Sequence, residues 1–242
     1  MGIIYGKNPV KEAIMSGKTI NKIYTQGSTK ELYDIIKLAK DRRIIVVESE
    51  KTKLDKMCDG KNSQGIVASV TDYEYCTIDD ILDEAQKREE KPFIVILDKI
   101  EDPHNLGAII RTCECMGVHG IIIQKRNACQ VTDTVEKVSA GACSFVKIAR
   151  VTNITESIKY LKEKGLWIYG LDMEGSEVIY NTKFDSAIGI VVGNEGSGIS
   201  RLVKENCDFM INIPMTGNIN SLNASVSAAI SIYEVGRQKN TK

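Results

Sequence analysis

The chain has 242 residues, of which 43% are hydrophobic and 26% charged, with 32 Lys/Arg balancing 32 Asp/Glu. That length holds one large domain or a small one plus a medium one; the zero balance argues against a uniformly basic nucleic-acid coat, and no run of about 18 apolar residues offers a transmembrane helix. Seven cysteines at scattered spacing without a C-x-x-C pair, and only His104 and His119 beside them, point to free thiols in a reducing compartment and to no metal site.

The opening MGIIYGKNPVKEAI has neither an apolar core nor a small-residue cleavage site, so no export signal is expected and the cytoplasm is the default location. Residues 1–75 read as a small α/β unit. A strand-like start and a short helix occupy 3–14, a strand 20–25, and an amphipathic helix 31–40 with Leu32, Ile35, Ile36 and Ala39 on one face. A strand at 44–47, a brief helix at 53–57 and a last strand at 65–70 complete it. This segment carries 13 Lys/Arg against 10 Asp/Glu, or +3, and the remainder 19 against 22, or −3. Phosphate neutralisation supplies most non-specific RNA affinity, so an RNA partner would meet the N-terminal part first. Residues 76–92 read as a linker holding one short helix, with Thr77 as N-cap, acidic residues in its first turn and a solvated charged face.

From residue 93 to 242 a second domain alternates strand and helix. Strands are expected at 93–98, 119–123, 145–149, 166–171, 188–192 and 209–213, and helices at 106–117, 134–141, 154–164, 199–206 and 221–237. All-apolar runs such as IGIVV at 188–192 belong to a mostly parallel sheet covered on both faces. Three loops at strand ends stand out. The first, in DPHNLGAIIRT, holds Asn105, which could simply cap a helix. It is followed by Arg111, which could simply pair with Glu114 on a helix face. The second is GNEGSG at 193–198, whose glycines do not match the dinucleotide fingerprint G-x-G-x-x-G. The third, after Pro214, contains Gly217 and Asn218, residues that take positive φ cheaply, and leads to Ser221, a candidate N-cap. The last helix has two apolar stripes, Leu222–Val226–Ile230–Tyr233 and Ala224–Ala228–Ile232–Val235, which suit its own sheet and a second subunit. Ligands of parallel α/β sheets bind at the carboxyl ends of strands, where such loops gather.

Together, NLGAIIRT, VVGNEGSGIS and IPMTGNINSLNASVSAAI resemble the three ordered motifs of the SpoU (TrmH-type) RNA 2′-O-ribose methyltransferases. The stretches DPHNLGAIIRT, GLDMEGSEVIY and IPMTGNINSLN are most similar to the bacterial branch that methylates a guanosine of 23S ribosomal RNA. The resemblance implies a trefoil-knotted SPOUT domain, an L30e-like RNA-binding domain ahead of it, a homodimer, and S-adenosylmethionine (SAM) as methyl donor without a metal. Gly193, Ile213 and Leu222 would give main-chain contacts to SAM, and Asn194, Gly196, Met215 and Gly217 would shape the same pocket. Arg111 would be the catalytic arginine, with Asn105 holding it and the substrate, Glu195 orienting it, and Asn223 facing substrate or loop carbonyls. A free guanidinium is a poor base, so Arg111 would act either once activated by the substrate phosphate or by stabilising the developing 2′-oxyanion. The branch commonly carries a histidine where Ser63 stands before Gln64–Gly65–Ile66–Val67–Ala68. Two alternatives remain open at this point, a tRNA methyltransferase of the same fold and a non-catalytic RNA-binding protein.

Overall fold

The structure, a computed structural model, describes residues 2–16, 18, 20–27, 29, 32–70, 73–217 and 221–239. Asn218, expected at positive φ, lies outside them. The chain divides into two units, Met1–Glu74 and Tyr75–Lys242.

In the first unit the elements run β1 (Gly2–Tyr5), α1 (Lys7–Met15), β2 (Ile20–Thr25), α2 (Tyr33–Asp41), β3 (Val46–Glu48), α3 (Lys51–Met57) and β4 (Ile66–Val70). They form a four-stranded sheet in the order β1-β4-β2-β3, with β4 antiparallel to both neighbours and β2 parallel to β3. Alternation along the strands divides the apolar side chains between two faces. Val10, Ile14, Ile35 and Ile36 of the first two helices pack with Ile23 and Ile66. Leu54 and Cys58, from α3 and its end, pack with Val67. Ser63 is buried in the turn before β4, its hydroxyl accepting from the Gly65 N–H at 3.4 Å.

The second unit continues with α4 (Ile78–Lys87), β5 (Phe93–Asp98), α5 (Pro103–Cys115), β6 (Gly120–Gln124), α6 (Asp133–Val138), β7 (Lys147–Val151), α7 (Ile154–Glu163), β8 (Trp167–Leu171), β9 (Glu177–Val178), β10 (Ile188–Gly193), α8 (Arg201–Lys204), β11 (Phe209–Asn212) and α9 (Ala224–Lys239). Its seven strands lie in the order β7-β6-β5-β10-β8-β11-β9, and every neighbouring pair is parallel. All six residues of β5 are buried, as a strand covered on both faces requires. Insertion of β10 between β5 and β8 sets Gly193 opposite Asp98 and gathers the ends of β5, β8, β10 and β11 along one edge.

Helix α4 is closed by a capping box, Thr77 accepting from the Asp80 N–H while Asp80 accepts from that of Thr77. Its charged face is turned to solvent, but Ile81 is fully buried among Ile94, Ile96 and Ile122, so the helix belongs to the cover of the sheet. Three local readings are corrected by caps and length. Asp102, accepting from the His104 N–H at 2.9 Å, caps α5, which puts Asn105 inside the first turn. Asn223 stands before α9 and accepts from the N–H groups of Ser225 and Val226 at 3.0 and 3.4 Å, so Ser221 is not the cap. Helix α8 is four residues long and not eight.

Candidate active site

The loop after β10 is built on a close backbone approach. A Cβ at Gly193 would lie 2.2 Å from the carbonyl carbon of Gly198 and 2.3 Å from the Ile199 nitrogen, so no larger residue fits without moving the backbone. Asn194 and Gly198 exchange both backbone hydrogen bonds, at 3.2 and 2.8 Å, and Gly198 holds φ at +62°. The end of β5 grips both sides of this loop. The Asn194 side chain donates to the Lys99 carbonyl at 3.0 Å, and the fully buried Asp98 accepts from the Ser200 N–H at 2.7 Å. The second carboxylate oxygen of Asp98 is buried without a hydrogen-bond partner, so this residue was placed for the loop at a desolvation cost.

A cavity of about 310 Å³ opens beside the loop. Gly193, Asn194, Gly196, Ile213, Met215 and Leu222 all line it. Gly217 does not, and it holds no positive φ. The turn after β8 supplies a further wall, with Leu171 and Asp172, and α8 adds Lys204. Asp98, Asp172 and Lys204 are absent from the expected set. Asp172 lies in GLDMEGSEVIY, a stretch that carried the resemblance without a role for each residue. Lys204 lies outside the motif VVGNEGSGIS, and only the fold turns it toward the cavity.

At the edge of this cavity the three loops meet. Asn105, buried, donates to Glu195 Oε1 at 2.7 Å; Asn223 donates to Asn105 Oδ1 at 3.0 Å and also to Glu195; the Ala224 N–H reaches the same carboxylate at 3.4 Å. Asn223 therefore does two things, capping α9 with its oxygen and tying the other two loops together with its amide. Glu195 is not the partner of Arg111. Six positions along an α-helix are about 9 Å and about 240° around the axis, so Arg111 emerges on another side of α5 from Asn105. It is exposed, and among the described residues it has no hydrogen-bond or ion-pair partner, Glu114 included.

No cysteine is among the described residues lining this cavity. All seven cysteines are free; burial pushes Cys76 and Cys129 up to about 11 and Cys207 up to about 12, and it raises Cys113 further. Thiolates, the reactive form, are thereby disfavoured. Among the described residues no group of three or more His, Cys, Asp or Glu could hold a metal ion, and no helix is long and apolar enough to cross a membrane.

A parallel sheet, a glycine-built loop and a polar cluster gather at the strand C-terminal ends, the edge where parallel α/β sheets take their ligands. Residues 92–233 match the SpoU rRNA Methylase family, and residues 3–76 match the family of RNA 2′-O ribose methyltransferase substrate binding domains. The chain belongs to the SpoU rRNA methylase family, whose members are RNA methyltransferases. A Staphylococcus saprophyticus chain assigned to the TrmH family of tRNA/rRNA methyltransferases is 45% identical over 98% of this chain and 96% of its own. A Bacillus subtilis chain with the same assignment is 43% identical over the same shares. Among solved structures, the SpoU methyltransferase AviRb of Streptomyces viridochromogenes, in complex with AdoMet, matches with a TM-score of 0.63 at 23% identity over 99% of this chain and 91% of that one, a likeness of fold. The A. aeolicus TrmH/SpoU tRNA modifying enzyme matches with a TM-score of 0.58 at 30% identity, over 66% of this chain and 85% of that one.

Proposed function

We propose that this protein transfers a methyl group from SAM to the ribose 2′-hydroxyl of a guanosine in 23S ribosomal RNA. The observation that carries the reading is the meeting of Asn105, Glu195 and Asn223 at the edge of a cavity walled by the loops after β8, β10 and β11. The sulfonium of SAM supplies an already activated methyl group, so the chain has to position two reactants and assist loss of one proton. Gly193, Ile213 and Leu222 offer main-chain groups to the adenosine, with Asn194, Gly196 and Met215 shaping the walls. The missing Cβ at Gly193 is what lets the loop fold back on Gly198 and Ile199 and so sets the shape of this wall. Arg111 is the catalytic residue, its exposed guanidinium meeting the RNA from solvent. A guanidinium is a poor base and a planar fork of donors, which suits it to stabilising the 2′-oxyanion and its neighbouring phosphate better than to accepting a proton. The polar cluster fixes the N-terminal turn of α5, the helix that carries Arg111 about 9 Å further on.

The working unit in this reading is a cytoplasmic homodimer. Along α9, Ala228, Ile232 and Val235 are buried while Val226, Ile230 and Tyr233 are 45%, 38% and 59% exposed, a stripe suited to a second copy of the same helix. Residues 1–75 deliver RNA and 93–242 form the knotted catalytic domain, with 76–92 between them. The test is methyl transfer in vitro from SAM to deproteinised 23S rRNA and to tRNA, read by nucleoside mass spectrometry. New 2′-O-methylguanosine in rRNA is expected. Methylation confined to tRNA would favour the second reading, suggested by the similarity to the A. aeolicus TrmH/SpoU tRNA modifying enzyme; a base methyl group would overturn the ribose assignment.

A further inference from the structure

Asp172 and Lys204 form an ion pair in the wall of the cavity, with Nζ 2.7 Å from Oδ2. Asp172 is held on three sides. Its backbone N–H donates to the Ile211 carbonyl at 2.9 Å, its Oδ1 accepts from the Glu174 N–H at 3.0 Å, and Oδ2 takes Lys204. Its side chain is 15% exposed and that of Lys204 39%, so the pair is partly desolvated and still reachable. Lys204 is the one cation lining the cavity among the described residues. Three acidic residues line it: Asp172, Glu195, which is engaged by Asn105, Asn223 and the Ala224 N–H, and Glu174, which is exposed. Much of the remaining wall is backbone and apolar side chain, including Val192, Ile213 and Leu222.

An adenosine has no charge for such a pair to meet. The other end of the methyl donor has two, an α-ammonium and an α-carboxylate a few bonds apart. We propose that Asp172 and Lys204 form the subsite for this zwitterionic amino-acid end, the Asp172 carboxylate accepting from the ammonium and the Lys204 ammonium donating to the carboxylate. A fixed ion pair is a preorganised dipole, and a zwitterion laid against it head to tail makes four charges of alternating sign. In open water such an arrangement is worth little; in a cavity wall of lower dielectric it is worth more. The inference rests on reading the cavity as the methyl-donor site. The competing role is structural, a tie between the turn after β8 and α8.

The test compares S-adenosylhomocysteine with 5′-methylthioadenosine, which keeps the adenosine and thioether but lacks both charges. In calorimetry on the full-length protein, S-adenosylhomocysteine should bind at least about tenfold tighter. In Asp172→Asn and in Lys204→Met that advantage should shrink to about twofold or less, through weaker S-adenosylhomocysteine binding and with methylthioadenosine affinity held. Melting temperatures report folding, and Lys204→Met, which leaves the backbone and its neighbours in place, carries the test should Asp172→Asn fail to fold. Equal affinities in the unsubstituted protein, or an advantage that survives in the folded variants, overturns the subsite while leaving the methyl-donor reading intact. Binding of neither compound by the unsubstituted protein overturns both.

Discussion

The two ends of the seven-stranded sheet both carry cavities, and the larger one is at the end opposite the polar cluster. Near the strand N-termini a cavity of about 540 Å³ lies among Phe93, Met116, His119, Phe184 and Lys239. Its polar groups are engaged with one another. The Phe93 N–H donates to His119 Nδ1 at 3.0 Å, which leaves the proton on Nε2, and that nitrogen meets Glu90 at 3.0 Å. Lys91 and Lys239 donate to the carbonyls of Asp185 and Lys91, and Gln238 joins the Phe184 N–H to the Thr182 carbonyl. At the strand C-termini the cavity is smaller, but it is walled by the loops after β8, β10 and β11, and within the second of these the backbone approaches itself closely at Gly193. Volume alone does not mark a ligand site. One end of the sheet closes its hydrogen bonds, and the other, in the proposed reading, presents backbone and charge to the methyl donor.

Substitutions can break this contrast or sharpen it. The largest effect should come from Gly193→Ala, where the new methyl group would lie 2.2 Å from the Gly198 carbonyl carbon. SAM affinity measured by calorimetry should fall about a hundredfold or more, because relaxing the clash has to displace the loop that walls the cavity. Next is Arg111→Ala, which should lower turnover on RNA by about 10²–10³ while SAM affinity stays within about twofold. Arg111→Lys should also be poor, since one ammonium does not reproduce a planar fork of donors; near-normal turnover of either variant removes Arg111 from the chemistry. Glu195→Gln replaces the shared acceptor of two asparagines with a group that also donates, and should cost about tenfold in turnover with a smaller loss of SAM affinity.

At the other end His119→Ala should destabilise the protein by about 1–3 kcal/mol, because the buried Phe93 N–H loses its acceptor. SAM affinity should not change. The same histidine sets a pH dependence. Burial, outweighing the attraction of Glu90, holds its pKa below the ordinary value of 6.5. The neutral ring's contribution is therefore complete above about pH 6.5 and is lost as pH falls through the depressed folded pKa, where the unfolded chain binds the extra proton first. Denaturant titrations across that window should show less acid destabilisation in His119→Ala than in the unsubstituted protein.

The sequence carried much of the fold because β5 and β10 are uninterrupted apolar runs, a pattern that only a doubly covered strand satisfies. It missed β9, a two-residue strand with no room for periodicity. Helix starts slipped where two capping residues competed. Asp102 takes the role available to Asn105, and Asn223 the role available to Ser221, and in each case the tertiary bond to Glu195 fixes the outcome for the asparagine. Motif membership said which residues gather. It did not say who bonds to whom, since Asn105, Glu195 and Asn223 are joined across loops far apart in the chain and Arg111 is left out by helical geometry. Asp98, a buried carboxylate behind the loop, left no local trace beyond ending an apolar run.

The contrast between the two ends is tested most directly by hydrogen–deuterium exchange of the full-length protein with and without SAM, in the presence of EDTA. The loops at 171–175, 193–200 and 211–217 should gain protection on adding SAM, while 115–119 and 184–186 should exchange unchanged. Protection at 115–119 and 184–186 without protection at 193–200 would put the methyl donor at the wrong end of the sheet and contradict the account.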